Sequence, residues 1–222
     1  MGSQPKFRAI RGVKDILPGE TARWQAVERS FREVFALYGY EEIRVPIFEE
    51  TALFARGLGD TTDIVEKEMY TFPDRGGNSL TLRPEGTASV VRAYLENRLD
   101  TLQPPVKLYY LGPMFRYERP QKGRQRQFFQ IGAEFFGVAA PEADAELLEM
   151  VHGAFDRLGI DGLKLKINSL GDQDCRPRFR EALIEYFRPL AGNLCENCQR
   201  RLEANPLRIL DCKASSCREL RA

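Results

Sequence analysis

The sequence predicts an α+β fold in which an antiparallel sheet is flanked by helices. The runs with strand-like alternation are joined mostly by short turns, as in hairpins, rather than by regular strand–helix–strand units. Amphipathic helical patterns lie between these hairpins. The chain also contains neither GxxxxGK[ST] nor GxGxxG, so it lacks the usual phosphate-binding motifs of parallel sheets.

The first elements are a helix and a strand. Residues 19–40 carry apolar side chains near helical spacing, which predicts an amphipathic helix that ends at Gly39. The run "EEIRVPIFEE" (41–50) alternates apolar and polar residues and predicts a strand. Pro46 lacks a backbone N–H, so this strand is expected at a sheet edge or an interface.

Two hairpins and two helices follow. Residues 68–84 alternate on both sides of the turn signal "DRGGN", and residues 106–138 form two longer alternating runs around the loop "RPQKGRQ". Helical patterns occupy 85–99 and 140–160, and "LKLKINSLG" (163–171) predicts a further strand. The chain then becomes helical, Arg/Glu-rich and cysteine-bearing, which predicts one domain over 1–170 and the start of another over 171–222.

Composition indicates an ordinary globular protein. Hydrophobic residues make up 43% and charged residues 29% of 222 residues, and the net charge is +1. Any nucleic-acid contact must therefore rely on local cations. No apolar run is long enough to span a membrane, and the N-terminus lacks the apolar core of a signal peptide. We therefore expect a cytoplasmic protein without a membrane partner.

The hairpin at 106–138 carries the first candidate site. Arg116 and Glu118 are expected on one face near its tip, and Gln130 and Glu134 share a face of the partner strand. Arg116 could bind a phosphate through two parallel hydrogen bonds, Glu118 could accept from an exocyclic amine, and Glu134 from a ring N–H or an ammonium. A salt-bridged, solvent-exposed face is the alternative, but the surrounding Phe and Ile residues argue against it.

The loop of this hairpin is basic. It contains Arg119, Lys122, Arg124 and Arg126 with a single glycine. A solvated loop tip is the simple explanation. A mobile cationic loop beside a phosphate-binding arginine also suits contact with a polyphosphate or an RNA backbone.

A second candidate site is the corner "TLRPEGTASV" (81–90), where a strand gives way to a helix. Glu85 and Thr87 are good residues for the first turn of a helix, so a capping role explains them. The functional alternative is that both side chains accept hydrogen bonds from an α-ammonium group at the sheet edge.

Six motifs together resemble the histidyl-tRNA synthetase family, a class II aminoacyl-tRNA synthetase family. They are "RGVKDILP", "GYEEIRVPIFEE", "GLGDTTDIVEKEMYTF", "LRPEGTA", "FRYERPQKGRQRQFFQIGAEFFG" and "NPLRILDCK", from about residue 8 to the end. The resemblance implies the class II antiparallel sheet flanked by helices. It also implies a homodimer, with Pro46 of motif 1 at the dimer interface.

The same resemblance implies a reaction and roles for the site residues. L-Histidine would be activated by ATP, with Mg²⁺, and transferred to the acceptor end of tRNA(His). Arg116 would bind the α-phosphate as the catalytic residue and Glu118 the adenine amine, while Arg124 would reach the distal phosphates or the tRNA end. The histidine-binding residues would be Glu85, Thr87 and Gln130 for the α-ammonium and carboxylate, and Glu134 for the imidazole.

The family continues with a histidine-specificity segment, motif 3 and an anticodon-binding domain, which are not present in these 222 residues. The resemblance therefore implies an incomplete catalytic core followed by the start of a helical insertion domain. Two alternatives to a working ligase stay open. One is a non-catalytic paralogue such as the regulatory subunit of ATP phosphoribosyltransferase, which tends to lose motif 2. The other is a dimerisation or tRNA-acceptor-binding module.

The cysteines are a separate question. Cys195-x₂-Cys198 and Cys212-x₄-Cys217 have spacings that a zinc site could use. The family resemblance does not require a metal there, so free thiols in a reducing compartment are the default expectation, with no metal ligands assigned.

Overall fold

The computed structural model describes residues 7–58, 64–169 and 171–221. The chain separates into two compact units that divide between Leu163 and Lys164. The first unit contains α1 (Pro18–Leu37), β1 (Glu41–Glu42), β2 (Phe48–Glu50), α2 (Thr51–Leu58), β3 (Tyr70–Pro73), β4 (Ser79–Leu82), α3 (Thr87–Glu96), β5 (Val106–Phe115), β6 (Gln127–Phe136) and α4 (Pro141–Arg157). The second contains α5 (Cys175–Phe187), α6 (Glu196–Ala204) and α7 (Ser215–Glu219). Single helical turns occupy Ile64–Glu68, Leu99–Thr101, Arg188–Asn193 and Pro206–Ile209.

Two three-stranded sheets form the first unit, and the expected α+β class is confirmed. In the larger sheet the long antiparallel hairpin β5–β6 runs in continuous register from Val106↔Phe136 to Phe115↔Gln127, and β1 adds a short parallel pairing to β5. The smaller sheet has the order β2-β4-β3 and is antiparallel throughout. Both hairpins expected from the sequence are therefore present.

The two faces of the larger sheet are covered by different helices. Side chains such as Tyr109 project to the face covered by α1 and α4, where the ring of Phe35 stacks on that of Tyr109 at 4.4 Å between centroids. Leu108, Tyr110 and Met114 project to the opposite face and pack with Val90 of α3. Burial of both faces fixes which side chains of β6 point toward α3, because side chains alternate along a strand.

The expectation of one continuous strand over 41–50 is wrong. The structure breaks this run into β1 and β2, which belong to different sheets. Pro46 has no N–H to donate to a ladder. The carbonyls of Val45 and Pro46 instead accept hydrogen bonds from the side chain of Arg83, at 2.9 and 3.4 Å. The chain thus crosses between the sheets where the sequence suggests an unbroken edge.

Arg83 connects the parts of this unit. It follows β4, is only 6% exposed, and its Nε donates to the carbonyl of Pro113 at 2.9 Å. Its backbone N–H donates to the carbonyl of Ile47, and its carbonyl accepts from the backbone N–H of Phe115. A Cβ at Gly112 would collide with the guanidinium, so the glycine leaves the space that this group fills. Burial lowers the pKa of Arg83, because the charged form loses hydration.

The strand expected over 163–171 is also wrong for the part of this run that the structure describes. Residues 160–169 lie outside any helix or strand and are exposed. Leu163, Leu165 and Ile167 are 43%, 63% and 76% exposed. The alternation that predicted a strand is present, but alternation does not supply a pairing partner. The domain boundary proposed near 170 stays a prediction.

Within the described ranges, no helix combines the length and the apolar character needed to cross a bilayer.

We expect Arg83→Met to lower the free energy of unfolding by about 3 kcal/mol, because three carbonyl acceptors lose a charged donor inside the unit. Urea denaturation followed by tryptophan fluorescence measures this, since Trp24 lies in the same unit. Arg75→Met in the exposed turn between β3 and β4 is the matched control and should change the midpoint little. Equal midpoints for the two variants would contradict the role of Arg83.

Candidate active site on the hairpin face

The candidate site lies on the face of β6 that points toward α3. Gln130, Gly132 and Glu134 share this face, and they pair with Gly112, Tyr110 and Leu108 of β5. Cross-strand partners project to the same side of a sheet. The sequence therefore correctly predicts that Gln130 and Glu134 lie on one face, and the structure adds Tyr110 between them.

The start of α3 meets this face through Thr87. The Thr87 hydroxyl donates to Oε1 of Glu134 at 2.7 Å. The two oxygens of Glu85 accept from the backbone N–H groups of Thr87 and Ala88, at 2.6 and 2.9 Å. Glu85, only 9% exposed, thus acts as the carboxylate that satisfies the first N–H groups of α3. Glu85 therefore has the capping contacts that the sequence suggests. The same position also places its carboxylate close to Glu134.

The environment of Glu134 disfavours its charged form. Burial raises the pKa of Glu134, and the negative charge of Glu85 raises it further, while the Thr87 hydroxyl acts in the opposite direction. Because Glu85 and Glu134 are two partly desolvated carboxylates close together, they attract a cation, such as an ammonium group or a protonated ring.

Tyr110 is a site residue that the sequence reading missed. It is 4% exposed, and burial raises its pKa to about 12, with a further contribution from the charges of Glu134 and Glu85. A Cβ at Gly86 or at Gly132 would collide with its ring. Gly132 was the available signal, because glycine in a strand often marks the close approach of another group.

Arg116 lies just beyond the end of β5. Its Nε donates to the carbonyl of Pro84 at 2.8 Å, and its guanidinium lies over the ring of Phe128 at 5.1 Å from the centroid. Phe128 is on the same face of β6 as Gln130, so Arg116 belongs to this face as the sequence suggests. The backbone of Pro84 and the ring of Phe128 together orient the arginine.

Glu118 lies between two arginines. Its carboxylate is 4.0 Å from Arg116 and 3.2 Å from the guanidinium of Arg124. The loop that carries Arg124 closes through paired backbone hydrogen bonds between Gln121 and Arg124. The structure therefore brings the three predicted nucleotide-binding side chains together at the tip of the hairpin.

Arg126, in contrast, is not a free loop cation. Its guanidinium lies over the ring of Tyr117 at 3.9 Å, and its Nε donates to the carbonyl of Glu118 at 3.3 Å. Its backbone N–H donates to the carbonyl of Gly12 at 2.6 Å. Gly12 has φ of +87°, and a Cβ there would press on Arg126 and Pro120. Arg126 thus fixes the base of the loop, whereas Arg119, Lys122 and Arg124 remain exposed.

The amide of Gln130 has an unused acceptor. Its Oε1 is buried and, within the part of the chain that the structure describes, has no hydrogen-bond partner. A buried acceptor without a partner costs free energy, and such atoms are rare in folded proteins. This oxygen is therefore available to a donor that approaches this face.

A cleft of about 780 Å³ opens on the other side of the α3 N-terminus. Its lining includes Glu85 and Thr87, together with residues of α2 and α3 such as Arg56 and Arg92. Of the predicted site residues, Arg116, Glu118, Gln130 and Glu134 are not part of that lining. The corner at Glu85 thus faces both the cleft and the hairpin face.

Pro46 lies on a different surface. It is exposed beside the smaller sheet, where β2 is an edge strand. Ile47 and Phe48, which follow it in the chain, are 45% and 53% exposed. This surface, defined by Pro46, Ile47 and Phe48, is called the β2 edge surface below. Exposed apolar side chains at the edge of a sheet are typical of an association surface.

Comparison with known proteins gives a consistent picture. The family model described as "Histidyl-tRNA synthetase" matches residues 12–171. A histidine–tRNA ligase from Desulforamulus reducens is 62% identical over 210 residues, which cover 95% of this chain and 50% of the relative. A histidine–tRNA ligase from Geobacter sulfurreducens is 58% identical over 213 residues, with 96% and 52% covered. The chain spans about half the length of the curated relatives it matches.

Solved structures agree at the level of the fold. The apo histidyl-tRNA synthetase of S. aureus matches with a TM-score of 0.74 and 42% identity, covering 96% of this chain and 50% of that one. An ATP phosphoribosyltransferase regulatory subunit/histidyl-tRNA synthetase from Bacillus halodurans matches with a TM-score of 0.66 and 23% identity, covering 99% and 60%. The second likeness concerns the fold alone.

We expect Glu134→Gln to stabilise the chain at neutral pH. The folded pKa of Glu134 lies above its unfolded value, so the ionised carboxylate destabilises the folded state once the pH exceeds the unfolded pKa. Glutamine removes that penalty and still accepts from Thr87. The gain should shrink as the pH falls through the folded pKa, where the wild-type carboxyl group is protonated.

Urea midpoints measured at about pH 8 and about pH 4 test this dependence. Glu149→Gln, at an exposed position on α4, is the control and should show no comparable difference between the two pH values. A midpoint gain of the same size at both pH values would contradict the raised pKa of Glu134.

Proposed function

The chain belongs to the histidyl-tRNA synthetase family, and we propose that the hairpin face serves the reaction of a histidine–tRNA ligase. L-Histidine would be activated by ATP and transferred to the acceptor end of tRNA(His). The observation that carries this proposal is the buried, unsatisfied Oε1 of Gln130 on the same strand face as Glu134. An acceptor and a carboxylate on one protected face match a small ligand that is rich in donors.

Histidine would lie between β6 and the start of α3. The Glu134 carboxylate would accept from the imidazole, whose protonated form its negative charge favours. Gln130, Glu85 and Thr87 would hold the α-ammonium and the carboxylate. The proximity of Glu85 to Glu134 supports this assignment, because a cationic substrate relieves the repulsion between them.

ATP would enter as its Mg²⁺ complex at the tip of the hairpin. Arg116 would bind the α-phosphate, and Glu118 would accept from the adenine amine. Arg124 would bind the distal phosphates or the tRNA end. In the structure, Arg124 pairs with Glu118 at 3.2 Å. Nucleotide binding would exchange this pair for contacts to adenine and phosphate, so the exposed loop would rearrange when ATP arrives.

The chemistry would depend on positioning and charge. In the first step the histidine carboxylate attacks the α-phosphorus, a phosphorus–oxygen bond forms, and pyrophosphate leaves with the electrons of the broken bond. Arg116, held by the Pro84 carbonyl and the Phe128 ring, would stabilise the negative charge that builds on the α-phosphate oxygens. In the second step the terminal tRNA hydroxyl attacks the activated carbonyl and AMP leaves.

The tRNA would approach from the loop side. Arg119 and Lys122 are exposed there, beside the nucleotide-binding tip. Cations near the site of transfer suit the phosphates of an acceptor end, although the chain as a whole carries a net charge of only +1. This role, like the expected cytoplasmic location, is part of the proposal.

A second copy of the chain would bind at the β2 edge surface. Its exposed apolar residues and the unpaired edge of β2 support a homodimer interface that contains Pro46.

The first test measures ligand binding by calorimetry on two variants. Glu134→Ala should weaken histidine binding roughly 10- to 100-fold, because it removes a charged acceptor, and should leave ATP binding within about twofold. Arg116→Ala should weaken ATP binding by a similar factor and leave histidine binding largely intact.

Glu149→Ala and Arg75→Ala are matched controls at exposed positions. Amino-acid-dependent ATP–pyrophosphate exchange with all twenty amino acids gives the activity itself, and we expect exchange with histidine alone. Equal loss of both ligands in either variant would overturn the residue assignments. A folded chain that exchanges with several amino acids would overturn the proposed activity. A folded chain that exchanges with none would show that the family segments these 222 residues lack are required for the reaction.

The second test concerns the dimer. We expect the wild-type chain to sediment as a dimer and Phe48→Asp to sediment as a monomer, because a buried, unpaired charge is costly at an apolar interface. Phe179→Asp on α5 is a suitable control, since Phe179 is 51% exposed and Phe48 is 53% exposed. A dimer that survives Phe48→Asp, or a monomeric wild-type chain, would place association elsewhere or exclude it.

A further inference from the structure

The second compact unit brings together four of the five cysteines. Cys195 immediately precedes α6 and Cys198 lies in its first turn, while Cys212 follows the turn Pro206–Ile209 and Cys217 lies in α7. The four Sγ atoms all lie within 4.8 Å of one another. Thirteen residues separate the two pairs in the sequence, so the fold of this unit, not the chain order alone, assembles the cluster.

The distances fit a tetrahedral site. Zinc–thiolate bonds of about 2.3 Å give an edge of about 3.8 Å between neighbouring sulfur atoms of a tetrahedron. The Sγ atoms of Cys195 and Cys212 are 3.8 Å apart. A disulfide would require about 2.0 Å, so this spacing matches two ligands of one ion and not a covalent pair.

The surroundings also resemble those of a structural metal centre. Cys198 and Cys217 are completely buried, within a core that includes Phe187, Leu202 and Ile209. The backbone N–H of Cys195 donates to Sγ of Cys217 at 3.3 Å, a contact that stabilises a thiolate. The guanidinium of Arg221 donates to the carbonyl of Cys212 at 2.8 Å and fixes the loop that carries this ligand.

The four thiol groups converge inside this unit, with Cys198 and Cys217 buried and Cys195 and Cys212 partly buried. Four sulfur atoms this close together gain little from packing that ordinary apolar side chains would not also provide. A divalent cation at their centre would let all four ionise and would convert the cluster into a crosslink.

We propose that Cys195, Cys198, Cys212 and Cys217 bind one zinc ion in a closed tetrathiolate site that holds α6, the turn Pro206–Ile209 and α7 together. Four thiolates select zinc among the common divalent cations, and a site with four protein ligands has no open position for catalysis. The ion is therefore structural. The proposal differs from the free-thiol expectation drawn from the sequence, and it rests on the convergence of the two cysteine pairs in the fold.

Metal analysis of the full 222-residue chain, purified with a reductant, tests the site. We expect about one zinc ion per chain in the wild type and in Cys175→Ser, since Cys175 is exposed and lies outside the cluster. Cys198→Ser should reduce the zinc content at least tenfold. Wild-type protein that contains no zinc and takes up none from solution would overturn the proposal, as would equal zinc loss in Cys175→Ser.

A second measurement does not depend on the folding of a variant. Cobalt exchanged into the wild-type chain should give the visible absorption of a tetrahedral thiolate complex. Removal of zinc with a chelator should increase hydrogen exchange in α6 and α7 and leave α3 unchanged. Octahedral cobalt spectra, or a disulfide between Cys195 and Cys212 in the reduced preparation, would exclude the tetrathiolate site.

Discussion

The buried guanidinium of Arg83 is the interaction on which the architecture of the first unit depends. It reaches the carbonyls of the segment between β1 and β2 and the carbonyl of Pro113 in β5, so one side chain joins both sheets. The next residue, Pro84, offers its carbonyl to Arg116, and Glu85 follows at the start of α3. A shift of Arg83 would therefore displace both the corner that carries Glu85 and the acceptor that orients Arg116. The space at Gly112 is as necessary as the charge itself, because it admits the guanidinium to the sheet.

In the candidate site, closely packed side chains surround carboxylates that repel each other. The ring of Tyr110 lies against Gly86 and Gly132, and burial raises the pKa of its hydroxyl, with a further contribution from the charges of Glu134 and Glu85. Glu134 is likewise partly desolvated and close to Glu85. Such an arrangement lowers stability in the absence of a ligand, and it is common for binding sites to retain groups that a purely structural protein would replace. In the proposed function, the cationic substrate supplies the missing charge and the unsatisfied oxygen of Gln130 receives its donor.

Local patterns in the sequence predict the hairpins, the main helices and the grouping of Arg116, Glu118, Gln130 and Glu134, because alternation and short turns are encoded by neighbouring residues. They do not predict Arg83, whose acceptor at Val45 is 38 residues away, or Tyr110, whose surroundings depend on strand register. The expected continuous strand over 41–50 is interrupted because the carbonyls of Val45 and Pro46 bind the side chain of Arg83 instead of a neighbouring strand. The spacing of the cysteines can be read from the sequence. The convergence of the two pairs depends on how α6 and α7 pack, which the spacing alone does not specify.

The exposed run at 160–169 has a practical consequence. Leu163, Leu165 and Ile167 are exposed and alternate in the sequence with Lys164 and Lys166. Exposed apolar residues in an alternating run that belongs to no helix or strand can pair with the same run of another molecule and start β-sheet aggregation. The two lysines oppose this association by charge repulsion, an effect that salt screens. Preparations of this chain should therefore remain dispersed longest at low protein concentration and low ionic strength, and substitution of the lysines would remove that protection.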